Sequence, residues 1–84
     1  MPYIKPKRRK AIAPIANMLL DEVQEDGELN FALFYMFKLD WVNDGPSYWK
    51  ARDFIGELNE CIAEIRRRYL APYEDKKIEE NGDV

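Results

Sequence analysis

The amino-acid sequence predicts an all-α fold: a small three-helix domain whose long C-terminal helix forms a helical hairpin or bundle, and which assembles into an oligomer. Three observations carry this. Tyr48, Ala51, Ile55, Leu58, Ile62, Ile65 and Tyr69 recur at alternating spacings of 3 and 4, the mark of an apolar seam along one side of a helix. The stretch from Leu29 to Val42, LNFALFYMFKLDWV, is apolar nearly all round. Between these segments Asn43, Asp44, Gly45 and Pro46 make the clearest loop in the chain, because each favours turn geometry over regular structure.

Residues 1–13 carry prolines at positions 2 and 6 and few apolar anchors, which predicts an extended basic arm with at most a helical turn after Pro6. Pro14 suits the first position of a helix, where its missing N–H is not needed. Ile15, Met18, Leu19 and Val23 follow on one side, and Gly27 supplies a left-handed stop after Asp26, so the first helix is expected over residues 14–26.

Residues 29–42 are ambiguous by pattern alone. Every odd position from Leu29 to Trp41 is apolar, as a strand requires, yet Ala32, Phe34, Met36 and Val42 break the alternation. Fourteen residues are also long for a strand, and no second candidate strand exists to pair with. A second helix is the better reading. Ser47 can cap the third helix, along which Phe54 and Cys61 widen the seam while Asp53, Glu57, Glu60 and Glu64 lie on the other side. Gly56 within it costs roughly 1 kcal/mol relative to alanine, which predicts the close approach of a neighbouring backbone. Pro72 is expected to end the helix at Leu70 or Ala71. The domain layout is thus a single domain over 1–84, with the arm at 1–13, a helical core at 14–71 and a charged tail at 72–84.

Composition narrows the function classes. At 84 residues one core already buries only about 60–65% of the surface of the unfolded chain, leaving no material for a second. The 46% hydrophobic content argues against disorder, and 35% charged residues favour solubility. A single cysteine, Cys61, cannot form an intrachain disulfide, and no secretory leader pattern is present, so the expected compartment is the cytoplasm. The longest apolar run, Phe31 to Phe37, is too short to span a bilayer.

The chain has no histidine, which removes His-based catalytic dyads and imidazole metal sites. Its four glycines are too dispersed for a phosphate loop. No enzyme activity, cofactor or metal site is expected, and Cys61 reads as a buried structural thiol beside the seam. The acidic stripe Asp53, Glu57, Glu60 and Glu64 has the spacing to share a helix face toward a hard cation, but a solvated surface is the ordinary explanation. Arg66, Arg67 and Arg68 point in three directions near a helix C-terminus, where cations are favourable and a Glu64–Arg68 pair is within reach.

The net charge of −3 is unevenly laid out: five cations stand in the first ten residues, and the tail after Pro72 is mainly acidic. Lys5, Lys7, Arg8, Arg9 and Lys10 raise the local potential for an anion. A pI near 4.9 weakens the case for duplex DNA. The candidate ligand set is Tyr3, Lys5, Lys7, Arg8 and Arg9, with Trp49 and Arg52 supplying stacking and charge. The second helix leads elsewhere. A helix apolar nearly all round must be covered nearly all round, and only two other helices are available, so some of its surface is expected to meet another subunit; the alternative is that the basic arm and acidic tail fold across it within a monomer. The candidate subunit interface is therefore Phe31, Phe34, Tyr35, Phe37, Trp41, Ile55, Leu58, Ile62 and Ile65.

The opening Pro2-Tyr3-Ile4, residues 71–78 (APYEDKKI) and Asn81-Gly82-Asp83 resemble the terminal motifs of a family of small uncharacterised proteins encoded by phages, prophages and bacteria. FIGELNECIAEIRRR, residues 54–68, is similar in pattern to that family's long helix, as GELN at 27–30 is to another of its segments. In size and helix pattern the outline also resembles phage sponges, which oligomerise and sequester cyclic nucleotide signals. The resemblance implies a host-cell setting and a counter-defence role as an analogy. The resulting expectation is a non-enzymatic, homo-oligomeric binding protein that sequesters a small anionic ligand such as a nucleotide. Two other readings stand beside it: a module that blocks a host protein through its acidic face, and a small nucleic-acid-binding regulator that uses the arm.

Overall fold

The computed structural model describes residues 2–84, which form α1 (Pro6–Glu22), α2 (Glu28–Asp44), α3 (Tyr48–Ile65), a π-helical turn (Arg66–Leu70) and α4 (Ala71–Asn81). Among the described residues there is no strand, so the apolar segment 29–42 is helical and the fold is all-α. The residues group into two compact units, Tyr3–Phe54 and Ile55–Val84, the second of which also includes Pro2. No described helix is long and apolar enough to cross a membrane.

The first correction concerns the arm. The chain is helical from Pro6, not from Pro14, and α1 ends at Glu22, not Asp26. Pro6 takes the first helical position, where its fixed φ and absent N–H cost nothing. Lys5 before it is extended (φ −61°, ψ 142°), and its carbonyl accepts from the Arg8 and Arg9 amides at 3.0 and 3.1 Å. Lys, Arg and Ala are strong helix formers, so KPKRRKAIA propagates a helix although it has no apolar stripe. Pro14 lies inside α1. It withdraws the amide that would meet the Lys10 carbonyl, but Lys10 is an exposed residue, where water can take the place of the missing donor.

Gly27 does adopt the left-handed conformation expected of it (φ 89°), but it starts α2 instead of closing α1. Its carbonyl receives the Phe31 amide at 2.9 Å. The Glu28 carboxylate turns back on the loop and accepts the amides of Gln24 at 2.7 Å and Glu25 at 3.0 Å. Those two bonds to the charged form hold the Glu28 pKa below its ordinary value of 4.5.

At the other end of α2, Gly45 (φ 94°) caps the helix, donating its amide to the Trp41 carbonyl at 3.1 Å. Lys50, on the first turn of α3, ties this corner. Its Nζ donates to the Gly45 carbonyl at 3.1 Å and lies 3.3 Å from Asp44 and 3.9 Å from Asp40. Ser47 stands immediately before α3, and its carbonyl accepts the Ala51 amide at 3.3 Å.

The second correction concerns Pro72. Helical structure does not stop there but continues to Asn81, so the tail is helical over most of its length. The adjustment lies just upstream, where the Ala71 amide bonds to the Arg66 carbonyl five residues back. Widening one turn to π geometry moves the ring of Pro72 away from the carbonyl it would strike in a regular α-helix and places Pro72 in the tolerant first turn of α4.

Among the described residues none is buried. The nearest approach to a core is in the unit Tyr3–Phe54, where Leu33, Phe37 and Trp41 of α2 and Ala51 and Phe54 of α3 are half-buried. The Phe37 ring sits 5.2 Å from Phe54 and 5.6 Å from Trp41, centroid to centroid.

Candidate interaction surface

The main chemical feature of the molecule is apolar area without a partner. On α2 Leu33, Phe37 and Trp41 form an i, i+4, i+8 row of half-buried side chains, and Phe37 meets Phe54 of α3. Leu29, Phe31, Phe34, Tyr35, Met36, Leu39 and Val42, on the remaining sides, stay between 43% and 67% exposed. On α3 Leu58 is half-buried, while Ile55, Ile62 and Ile65 are 57%, 49% and 52% exposed. Of the nine residues expected at an interface, Phe37, Trp41 and Leu58 are thus the better covered, and the other six face solvent.

Ordinary monomers scatter exposed apolar residues singly over their surface, whereas on α2 seven large apolar side chains between Leu29 and Val42 are each at least 43% exposed.

Three features of this surface depart from the pattern read in the sequence. Tyr73 and Ile78 of α4 are exposed, but they sit in a segment whose charges dominate its pattern. Tyr69 belongs to the seam by spacing, yet it lies in the π turn, whose changed residue count per turn rotates the side chains beyond it. Cys61 is exposed, contrary to the expected buried thiol. Gly56 also departs from the expected close approach: among the described residues a methyl group added there meets nothing within 4 Å.

The candidate ligand residues divide into two groups. Trp49 and Arg52 are together, with the guanidinium 5.2 Å from the centre of the indole, and the Tyr48 ring meets Trp49 edge-on at 5.6 Å. This is within cation–π range, and Tyr48 and Trp49 are 72% and 62% exposed. Lys7, Arg8 and Arg9 ring the first turn of α1, one residue every 100° or so, with Lys5 at its cap. Tyr3 is exposed just ahead of them. Among the described residues no hydrogen bond, ion pair or ring contact joins Lys5, Lys7, Arg8 or Arg9 to Trp49 or Arg52.

In the unit Ile55–Val84, Pro2, Glu60, Ala63, Glu64 and Arg67 line a depression of about 220 Å³, smaller than the roughly 300–1,000 Å³ of ordinary ligand pockets. Arg67 Nε donates to Glu64 at 2.6 Å on its rim. No three acidic or thiol groups among the described residues converge on a point that could hold a metal ion.

A model of a domain of unknown function, DUF6899, matches residues 1–84, and the chain belongs to that family. No curated protein and no solved structure matches it.

Proposed function

We propose that this member of the DUF6899 family is a non-enzymatic, homo-oligomeric helical binding protein, which in its assembled form sequesters a small anionic ligand of the nucleotide class. The observation that carries the reading is the exposed apolar surface of α2 and α3, where Phe31, Phe34 and Val42 are each about two-thirds exposed and Ile55, Ile62 and Ile65 about half exposed. Covering it by a second copy releases ordered water from both faces at once, at about 25 cal/mol per Å² of apolar area before the costs of association. In this arrangement α2 and α3 form a hairpin around Phe37, Trp41 and Phe54, and hairpins from several copies complete a bundle.

The anionic ligand is supported by charge. Lys7, Arg8 and Arg9 stand on the first turn of α1, which has no acidic residue, so their charges add to the positive end of the helix dipole. Each such cation is unfavourable by about 0.3–1 kcal/mol, a cost that a bound phosphate relieves. The exposed Trp49 with Arg52 over its face offers a planar base a stacking surface.

Thermal unfolding of the full chain at two protein concentrations, with and without a panel of cyclic and linear nucleotides, tests both halves. Assembly predicts a midpoint that rises with protein concentration, and ligand at a hundred times Kd adds about 2.7 kcal/mol of stability. A midpoint independent of protein concentration contradicts the assembly, and one unmoved by every nucleotide contradicts the ligand.

A further inference from the structure

We infer that the nucleotide taken up at the head of α1 carries a chain of phosphates, and that this site ranks ligands by their charge and not by their shape. The inference rests on the ligand reading proposed above and names its chemical class. Lys5, Lys7, Arg8, Arg9 and Lys10 set five cations within six residues, and the first acidic residue of the chain is Asp21. All five are exposed, and among the described residues none of their side chains makes a hydrogen bond, ion pair or ring contact. Cations elsewhere are engaged: Lys50, Arg67 and Lys77 face carboxylates, and Arg52 and Arg68 lie over aromatic rings. The head of α1 thus concentrates positive charge without compensation among the described residues, and like charges at helical spacing repel one another.

The backbone speaks against a single phosphate cradled by helix amides. Pro6 has no N–H, and the amides of Arg8 and Arg9 both donate to the Lys5 carbonyl, at 3.0 and 3.1 Å. Of the first turn only the Lys7 amide is left, and one amide makes no cradle. Recognition falls to long, exposed side chains, which follow charge and impose no fixed geometry. Lys7, Arg8, Arg9 and Lys10 leave the helix about 100° apart and so surround it. Lys7 and Lys10 are i, i+3 neighbours with Cβ atoms about 5–6 Å apart, so a lone phosphate on that side meets these two. A chain of phosphates reaches on round the turn to Arg8 or Arg9, one step away on either side. Each further phosphate paired with an exposed cation raises affinity by about 1.5- to 5-fold. A cyclic mononucleotide, whose one phosphate is singly charged, gains least.

Calorimetric titration of the full chain with adenosine mono-, di- and triphosphate, cyclic adenosine monophosphate and bare tripolyphosphate tests this. The triphosphate is expected to bind about 2- to 30-fold more tightly than the monophosphate in dilute salt, with the diphosphate between them and the cyclic nucleotide weakest. The difference should shrink as salt is raised, and tripolyphosphate should displace the triphosphate. Lys7→Ala combined with Lys10→Ala should remove most of the difference and leave the helix content by circular dichroism intact, since alanine favours a helix at least as well as lysine. A double variant that keeps the full difference overturns the assignment to α1. Equal affinity for monophosphate and triphosphate, or tightest binding of the cyclic nucleotide, overturns the phosphate chain while leaving the nucleotide reading in place. Failure of all five compounds to bind overturns the ligand reading itself, and this inference with it.

Discussion

Gly56→Ala isolates a single physical effect. Gly56 sits inside α3 without a positive φ, and a methyl group built on it meets nothing within 4 Å. The substitution therefore removes backbone freedom from the unfolded chain and introduces no clash within the folded one. The gain should be about 0.5–1 kcal/mol, which for a domain of this size is a rise in melting temperature of roughly 2–8 °C. Gly56 also lies on the side of α3 away from Ile55, Leu58 and Ile62, so the oligomeric mass should not change. The assay is thermal unfolding followed by circular dichroism, with both variants at one protein concentration because assembly makes the midpoint concentration-dependent. A lower midpoint, or a smaller assembly, would mean that another copy's backbone lies against Gly56. The placement of the interface on the seam side would then be wrong.

Phe37→Ala removes a half-buried ring in contact with Phe54 and Trp41 and should cost about 2 kcal/mol in denaturant unfolding, roughly half the value for a fully buried phenylalanine. The exposed Phe34 provides the contrast: Phe34→Ala should be nearly neutral in dilute solution and clearly destabilising at concentrations where the chain associates, and equal effects at both would count against α2 in the interface. Lys50→Met cuts the ties to Gly45 and Asp44. Because the carboxylates are exposed, it should cost about 1 kcal/mol or less, and a loss several times larger would show that the corner matters more than its geometry implies. Glu28 tests the turn before α2. Its folded pKa is lowered from 4.5, so its contribution is complete above that value and is lost as pH falls through the lower folded value. Glu28→Gln should abolish this acid-side loss, and a carboxyl resonance titrating at or above 4.5 would contradict the bonds to Gln24 and Glu25.

The parts of the fold legible in the sequence were those governed by packing or by a single turn residue. The 3 and 4 spacing of α3, the all-round apolar character of α2 and the loop closed by Gly45 each have one dominant physical cause. The errors arose where two local tendencies compete. At the N-terminus, prolines and charge favour an extended arm, but the helix propensity of Lys, Arg and Ala from Pro6 onward prevails, and at the exposed Lys10 water can serve the carbonyl that Pro14 leaves without a donor. At Pro72 the expected stop is absorbed by one π turn, a solution that no side-chain pattern announces. The exposed Cys61 and the open space at Gly56 share a cause. Both expectations rest on a neighbour over α3, whereas among the described residues Cys61 is exposed and nothing lies within 4 Å of a methyl built at Gly56. Within the ligand set, Trp49 and Arg52 are three residues apart on one helix and meet as their spacing requires, whereas their relation to the cations of α1 depends on tertiary arrangement, which composition does not reveal.

The central claim is that α2 and α3 carry more apolar surface than one copy can hide. Sedimentation equilibrium over a range extending to tens of micromolar tests it most directly. Self-association through these helices gives a mass of at least twice 10.0 kDa that falls on dilution or on replacing Phe34 and Ile62 with glutamate. A mass of 10.0 kDa throughout that range would contradict it.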